Sequence, residues 1–123
     1  MNAEKTVLII DDDSRNIFAL KAVLKSKGFN VLSAASANEG LHVLRQNKGI
    51  KIVLLDMMMP DMDGYETLGL IRSDNDLSNT TVFAVTAQAM TGDREKCLEA
   101  GANEYVSKPI DVDLLLDLLN RYN

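Results

Sequence analysis

The chain has 123 residues, 46% hydrophobic and 25% charged, with 18 acidic and 13 basic side chains for a formal net charge of −5. That length suits one domain, read here as 1–123, burying about two thirds of its unfolded surface without crosslinks. An acidic balance with no Lys/Arg stripe among aromatics excludes nucleic acid as the expected partner. No apolar run approaches the roughly 20 residues that span a bilayer, and no signal peptide is evident before the first strand. The single cysteine, Cys97, cannot form an intrachain disulfide and reads as a partly buried packing residue, so a cytoplasmic setting is expected.

In chain order, residues 6–10 form an apolar run that closes in three carboxylates, Asp11, Asp12 and Asp13. A helical segment follows over 14–27, with Ser14 as a candidate N-cap and Gly28 as its terminator. A second run, 30–33, leads to a helix over 38–46 with Ser36 as its cap. The third run, 51–55, is apolar through Ile52-Val53-Leu54-Leu55 and delivers Asp56, followed by Met57-Met58-Met59-Pro60. Such a run reads as a strand buried on both faces of a parallel sheet. A helix over 64–72 precedes a polar stretch, 73–80, apolar only at Leu77 and read as a surface loop. Residues 81–85 lead to Thr86, 88–100 are helical and closed by Gly101, and 104–106 lead to Ser107-Lys108-Pro109. The last helix, 111–121, takes Asp111 as its cap. Strands alternating with helices of this length mean βαβ units, right-handed crossovers and an α/β fold on a five-stranded parallel sheet.

Strand ends of such a sheet gather at its carboxyl edge, where open α/β sheets bind ligands. Asp11, Asp12, Asp56, Thr86 and Lys108 would all meet there. Several carboxylates at one edge repel one another unless a cation or a transferable group lies among them. Two or three carboxylates with a backbone carbonyl suit a hard octahedral cation such as Mg²⁺. A carboxylate can attack phosphorus to form an acyl phosphate, while a hydroxyl and an ammonium hold the remaining oxygens.

These residues resemble the response regulator receiver domains of two-component and phosphorelay signalling. The resemblance lies in Asp11-Asp12 after an apolar strand, Asp56 with Met57-Met58-Met59-Pro60, Asp63-Gly64, Thr86-Ala87 and Lys108-Pro109, and it covers nearly the whole chain. It implies a doubly wound, flavodoxin-like (βα)5 fold with strand order 2-1-3-4-5. It also implies that Asp56 is the phosphoacceptor, that Asp11, Asp12, Asp56 and the Met58 carbonyl hold Mg²⁺, and that Thr86 and Lys108 bind the acyl phosphate. Tyr105 takes the switch-aromatic position, swinging inward as Thr86 moves, and Lys108-Pro109 would be cis. The partners implied are a histidine kinase or a histidine phosphotransfer domain. The stretch from Gln88 to Lys96 resembles receivers of hybrid kinases, and Gln88 and Met58 would screen the acyl phosphate from water.

Other readings compete at several positions. Asp13 fits a cap or N-terminal flank of the first helix better than a metal ligand. Asp61-Met62-Asp63-Gly64 mimics part of a calcium loop, but the frame then puts Met59 at the first ligand position and Leu70 where a bidentate glutamate belongs. Met57, Met58 and Met59 read mainly as packing, His42 as a surface residue, and Tyr105 from the residues alone as a rim aromatic. In the last helix Val112, Leu115, Leu116 and Leu119 form one stripe, which Leu114 and Leu118 widen beyond the ~100° arc that core packing needs. The surplus fits either a deeply seated helix or a face beside Tyr105 for a partner or a homodimer. As function, a phosphoacceptor switch leads over a phosphorylation-independent receiver-like module, which would predict losses among the site residues. An aspartyl-nucleophile phosphatase needs an acid two residues after the nucleophile, where Met58 stands. The expectation is a switch that catalyses its own phosphorylation and dephosphorylation, not a turnover enzyme.

Overall fold

Ten elements follow the apolar rhythm: β1 (Thr6–Ile10), α1 (Ser14–Ser26), β2 (Asn30–Ala34), α2 (Ala37–Gln46), β3 (Ile50–Asp56), α3 (Gly64–Ser73), β4 (Thr81–Thr86), α4 (Asp93–Glu99), β5 (Glu104–Ser107) and α5 (Val112–Arg121). They belong to a computed structural model that describes residues 5–87 and 91–122. Every neighbouring pair of strands is parallel, in the order β2-β1-β3-β4-β5. The winding direction reverses between β1 and β3, which opens a crevice beyond their carboxyl ends.

The pleat sorts the strand residues into two cores. Leu8, Ile10, Val53, Leu55, Val82 and Ala84 pack with Leu41 and Leu44 of α2, Leu68 and Ile71 of α3, and Cys97 of α4. Val7, Ile9, Ile52, Leu54, Phe83 and Val85 pack on the other face with Leu20 and Leu24 of α1 and with Leu115, Leu118 and Leu119 of α5. Each Val, Leu, Ile or Phe among them contributes about 1.5–3 kcal/mol by leaving water. Burial on both faces explains why the central strands carry unbroken apolar runs instead of alternation.

Caps and glycines set the boundaries. Ser36 and Asp111 cap α2 and α5 as expected, and Asp63 caps α3 through the Glu66 N–H at 2.8 Å. Ser14 does not cap α1. Asp13 does, in extended conformation, accepting from the Arg15 and Asn16 N–H groups, while Ser14 already lies in the first turn. The chain leaves β1 through Asp11 and Asp12, and the carboxylate one residue earlier reaches the free N–H groups first. Gly28 and Gly101 end their helices at φ 93° and 118°. The fourth helix begins at Asp93, later than its apolar pattern suggested, because Gly92 adopts φ 85° and cannot continue a helical path. Gln88 lies outside the described residues.

Two further expectations change. The stretch between α3 and β4 is a series of turns, but it is pinned: Leu77 is buried, and the Arg72 guanidinium donates to the Ser78 and Thr80 carbonyls at 3.0 and 2.7 Å. On α5, Leu118 is 6% exposed and belongs to the core, whereas Leu114 is 50% exposed. The wide apolar arc is therefore mostly a deeply seated helix, with Leu114 its outward residue. Cys97 is fully buried, more so than its sequence context suggested.

Candidate functional site

Strand register levels the acidic residues. Ile10 lies opposite Leu55, so Asp11 and Asp56 leave β1 and β3 side by side at the carboxyl edge. Thr86 ends β4 opposite Ser107, and the Lys108 N–H donates to the Thr86 carbonyl at 2.8 Å, bringing the start of the β5–α5 connection to the same edge. The Lys108-Pro109 bond is cis.

Asp11 and Asp56 are 2% and 5% exposed, whereas Asp12 is open to solvent. One carboxylate oxygen from each of the three lies within 4.8 Å of the others. Lys108 Nζ answers this charge, standing 3.2 Å from Asp11 Oδ2 and 3.5 Å from Asp56 Oδ2. Asp11 is oriented further by the Asp13 N–H at 2.8 Å and the Asn16 side-chain amide at 2.6 Å. Asp56 Oδ1 accepts the Met58 N–H at 3.0 Å, leaving Oδ2 toward Lys108.

Burial pushes the Asp56 carboxyl above the usual range; Asp11 adds to the rise, while the Met58 N–H and the Lys108 charge oppose it. Burial pulls Lys108 down, but the charges of Asp56 and Asp11 outweigh it and hold the ammonium above its ordinary value. Three hard oxygen donors with lone pairs to spare fit a hard divalent cation that keeps part of its water shell. Asp11, Asp12 and Asp56 are the residues that could hold one.

Thr86 is buried and shares with Met57 and Met58 the wall of a cleft of about 510 Å³. Met58 is 54% exposed beside the acid it follows, whereas Met57 and Met59 are core residues. Tyr105 is half-buried, and its hydroxyl donates to Asp93 at 2.8 Å. His42 is exposed on α2.

Sequence reasoning missed three supports. Asn16 orients Asp11, Asp93 receives Tyr105, and Asp61 caps α2 from the β3–α3 loop by accepting the Ala37 and Asn38 N–H groups, both at 3.2 Å. Asn16 was findable, since a polar residue in the first turn after a strand-end acid faces the same edge. Asp61 and Asp93 act across long sequence separations and left no local signal.

The fold and this edge define a doubly wound α/β domain with a partly buried acid cluster at its switch point, able to take a cation. The response regulator receiver domain model matches residues 7–120, and the chain belongs to that family, a component of two-component and phosphorelay signalling. Hybrid signal transduction histidine kinase I of Dictyostelium discoideum is 35% identical over 120 residues, covering 93% of this chain and 7% of the kinase. The polar-differentiation response regulator DivK of Brucella ovis is 30% identical over 118 residues, covering 96% of this chain and 95% of DivK. The receiver domain of sensor histidine kinase PA1611 from Pseudomonas aeruginosa, solved with magnesium in its active-site cleft, superposes with a TM-score of 0.87 at 31% identity, covering 98% of each chain. No described helix is long and apolar enough to cross a membrane.

Proposed function

We propose that this chain is one receiver unit that accepts a phosphoryl group on Asp56 from a phosphohistidine of a histidine kinase or a histidine phosphotransfer domain. The observation that carries this reading is the buried Asp56 carboxylate, oriented by the Met58 N–H at 3.0 Å and facing Lys108 at 3.5 Å within the acid cluster. Asp56 Oδ2 attacks phosphorus in line; the new O–P bond forms as the P–N bond breaks, and the imidazole leaves. The Lys108 ammonium, already between Asp11 and Asp56, follows the charge onto the phosphoryl oxygens. Thr86, at the end of the neighbouring strand, supplies a hydroxyl to another oxygen, and its movement is passed to Tyr105 on β5. Asp11, Asp12, Asp56 and the Met58 carbonyl would hold Mg²⁺, whose bound charge offsets that of the phosphoryl oxygens.

The output is an altered surface of α4, β5 and α5. Leu114 stands exposed there, and a histidine-bearing partner, an effector or a second copy reads the change. Receivers act as switches, and the free energy comes from the phosphodonor. Met58 at the second position after Asp56 supplies no acid for a leaving group, which disfavours a phosphatase. Retention of the acid pair, Thr86 and Lys108 together disfavours a phosphorylation-independent module.

The test is incubation with a small phosphodonor and Mg²⁺, followed by intact-mass measurement. Wild type is expected to gain one phosphoryl adduct and Asp56→Asn none. The same adduct on both proteins would mean that the acceptor lies elsewhere.

A further inference from the structure

Asp93 opens α4 without capping it: the N-cap is Gly92, and no side-chain cap bond is made. Its carboxylate turns to two tyrosines from other elements. Tyr105 of β5 donates to Oδ2 at 2.8 Å, and Tyr65 of α3 donates to Oδ1 at 3.3 Å. Tyr65 is itself anchored, with Lys96 Nζ 4.8 Å from its ring centroid and its hydroxyl 3.7 Å from Cys97 Sγ. Burial, then Asp93, pushes the Tyr105 phenol up to about 12, so it remains a donor at neutral pH. Tyr65, Asp93 and Lys96 wall the same cleft as Thr86 and Met58.

With seven residues, α4 is too short to be stable through its own hydrogen bonds. Bonds from phenols to a carboxylate are roughly twice as strong as neutral ones. The bridge therefore ties the first turn of α4 to both α3 and β5, beside the switch pair.

We infer that Asp93 is a positioning residue for the switch: held by Tyr65, it clasps Tyr105 in the position seen here, and the clasp opens when phosphorylation moves Thr86 and Tyr105. This rests on the phosphoacceptor reading. Opening the clasp is part of the cost of activation, so removing it shifts the population toward the state that binds a phosphoryl group more tightly.

The experiment titrates beryllofluoride, a phosphoryl mimic, with Mg²⁺ into the full chain by calorimetry, with urea midpoints measured in parallel. Asp93→Ala and the milder Tyr65→Phe are each expected to bind about three- to tenfold tighter than wild type, the factor one net hydrogen bond supplies. Asp93→Ala/Tyr105→Phe should bind no tighter than Asp93→Ala alone, since both substitutions open one clasp. Unchanged or weaker binding by both single variants, with or without lost stability, overturns the clasp while leaving the phosphoacceptor intact. A wild type that binds no beryllofluoride overturns the phosphoacceptor reading and the clasp with it.

Discussion

Asp56 illustrates how burying an acid burdens the fold. Its carboxyl is held above the ordinary range by burial and by Asp11. Below the unfolded-state pKa both states are protonated and nothing is lost. Between the unfolded and the higher folded value the folded state binds more protons, so stability falls as pH rises, and the deficit is complete above the folded value. Asp56→Asn keeps the shape and cannot ionise, so it should melt above wild type at pH 7, with the gap closing as pH falls toward 4. A change of 1 kcal/mol would show as about 4 °C in a domain of this size, and parallel melting curves for the two proteins across that range would contradict the argument. Arg72 is the opposite case, a charged residue spent on architecture. Its guanidinium donates to the Gly101, Ser78 and Thr80 carbonyls and to Asn103 Oδ1, all between 2.7 and 3.0 Å. An ammonium cannot span that fork. Arg72→Lys should cost about 2 kcal/mol in urea denaturation, because half-buried carbonyls lose charged donors, yet leave Mg²⁺ affinity unchanged at the opposite sheet edge.

At the scale of elements, α5 shows what periodicity can and cannot supply. Its stripe of leucines identified an amphipathic helix and the face that meets the sheet, but the arc alone could not separate a deep seat from a docking face. The neighbours decide it: Leu118 packs in the core with Phe83 and Val106, while Leu114 projects outward. Leu118→Glu should therefore unfold the domain or cost about 3–5 kcal/mol, as expected for a lost core side chain and an unpaired buried charge. Leu114→Glu should fold normally by circular dichroism and weaken any self-association seen by ultracentrifugation with beryllofluoride. A well-folded Leu118→Glu would show that α5 is less deeply seated than its contacts indicate. The central strands β1, β3 and β4 were legible because burial on both faces leaves an unbroken apolar run, and helix ends were legible at Ser36, Asp111, Gly28 and Gly101. Capping from a distance was not. Asp61 caps α2 from another loop, and the late start of α4 depends on the handedness of Gly92, neither of which a local pattern encodes.

Across the whole molecule, parallel topology converts sequence order into a site: Asp11, Asp56, Thr86 and Lys108 are far apart along the chain, yet register and crossovers oblige them to share one edge. That convergence was readable in advance because only strand ends were needed, whereas the angles of Asn16, Asp93 and Tyr65 depended on side-chain contacts no run of residues specifies. The same edge concentrates negative charge in a protein already at −5, so the fold carries repulsion that one lysine offsets only in part. A divalent cation that binds the folded edge and not the unfolded chain must then stabilise the whole domain. Mg²⁺ at a hundredfold excess over its Kd should add about 2.7 kcal/mol, on the order of 10 °C in Tm for a chain of this length. Asp12 is the test residue, since it is exposed and its removal disturbs no core contact. Asp12→Ala should fold with a similar Tm without Mg²⁺ and lose most of the Mg²⁺-dependent rise, while sodium chloride at matched ionic strength reproduces little of it in wild type. If Asp12→Ala keeps the full rise, or sodium chloride supplies it, the acid cluster acts through general screening and does not hold the ion.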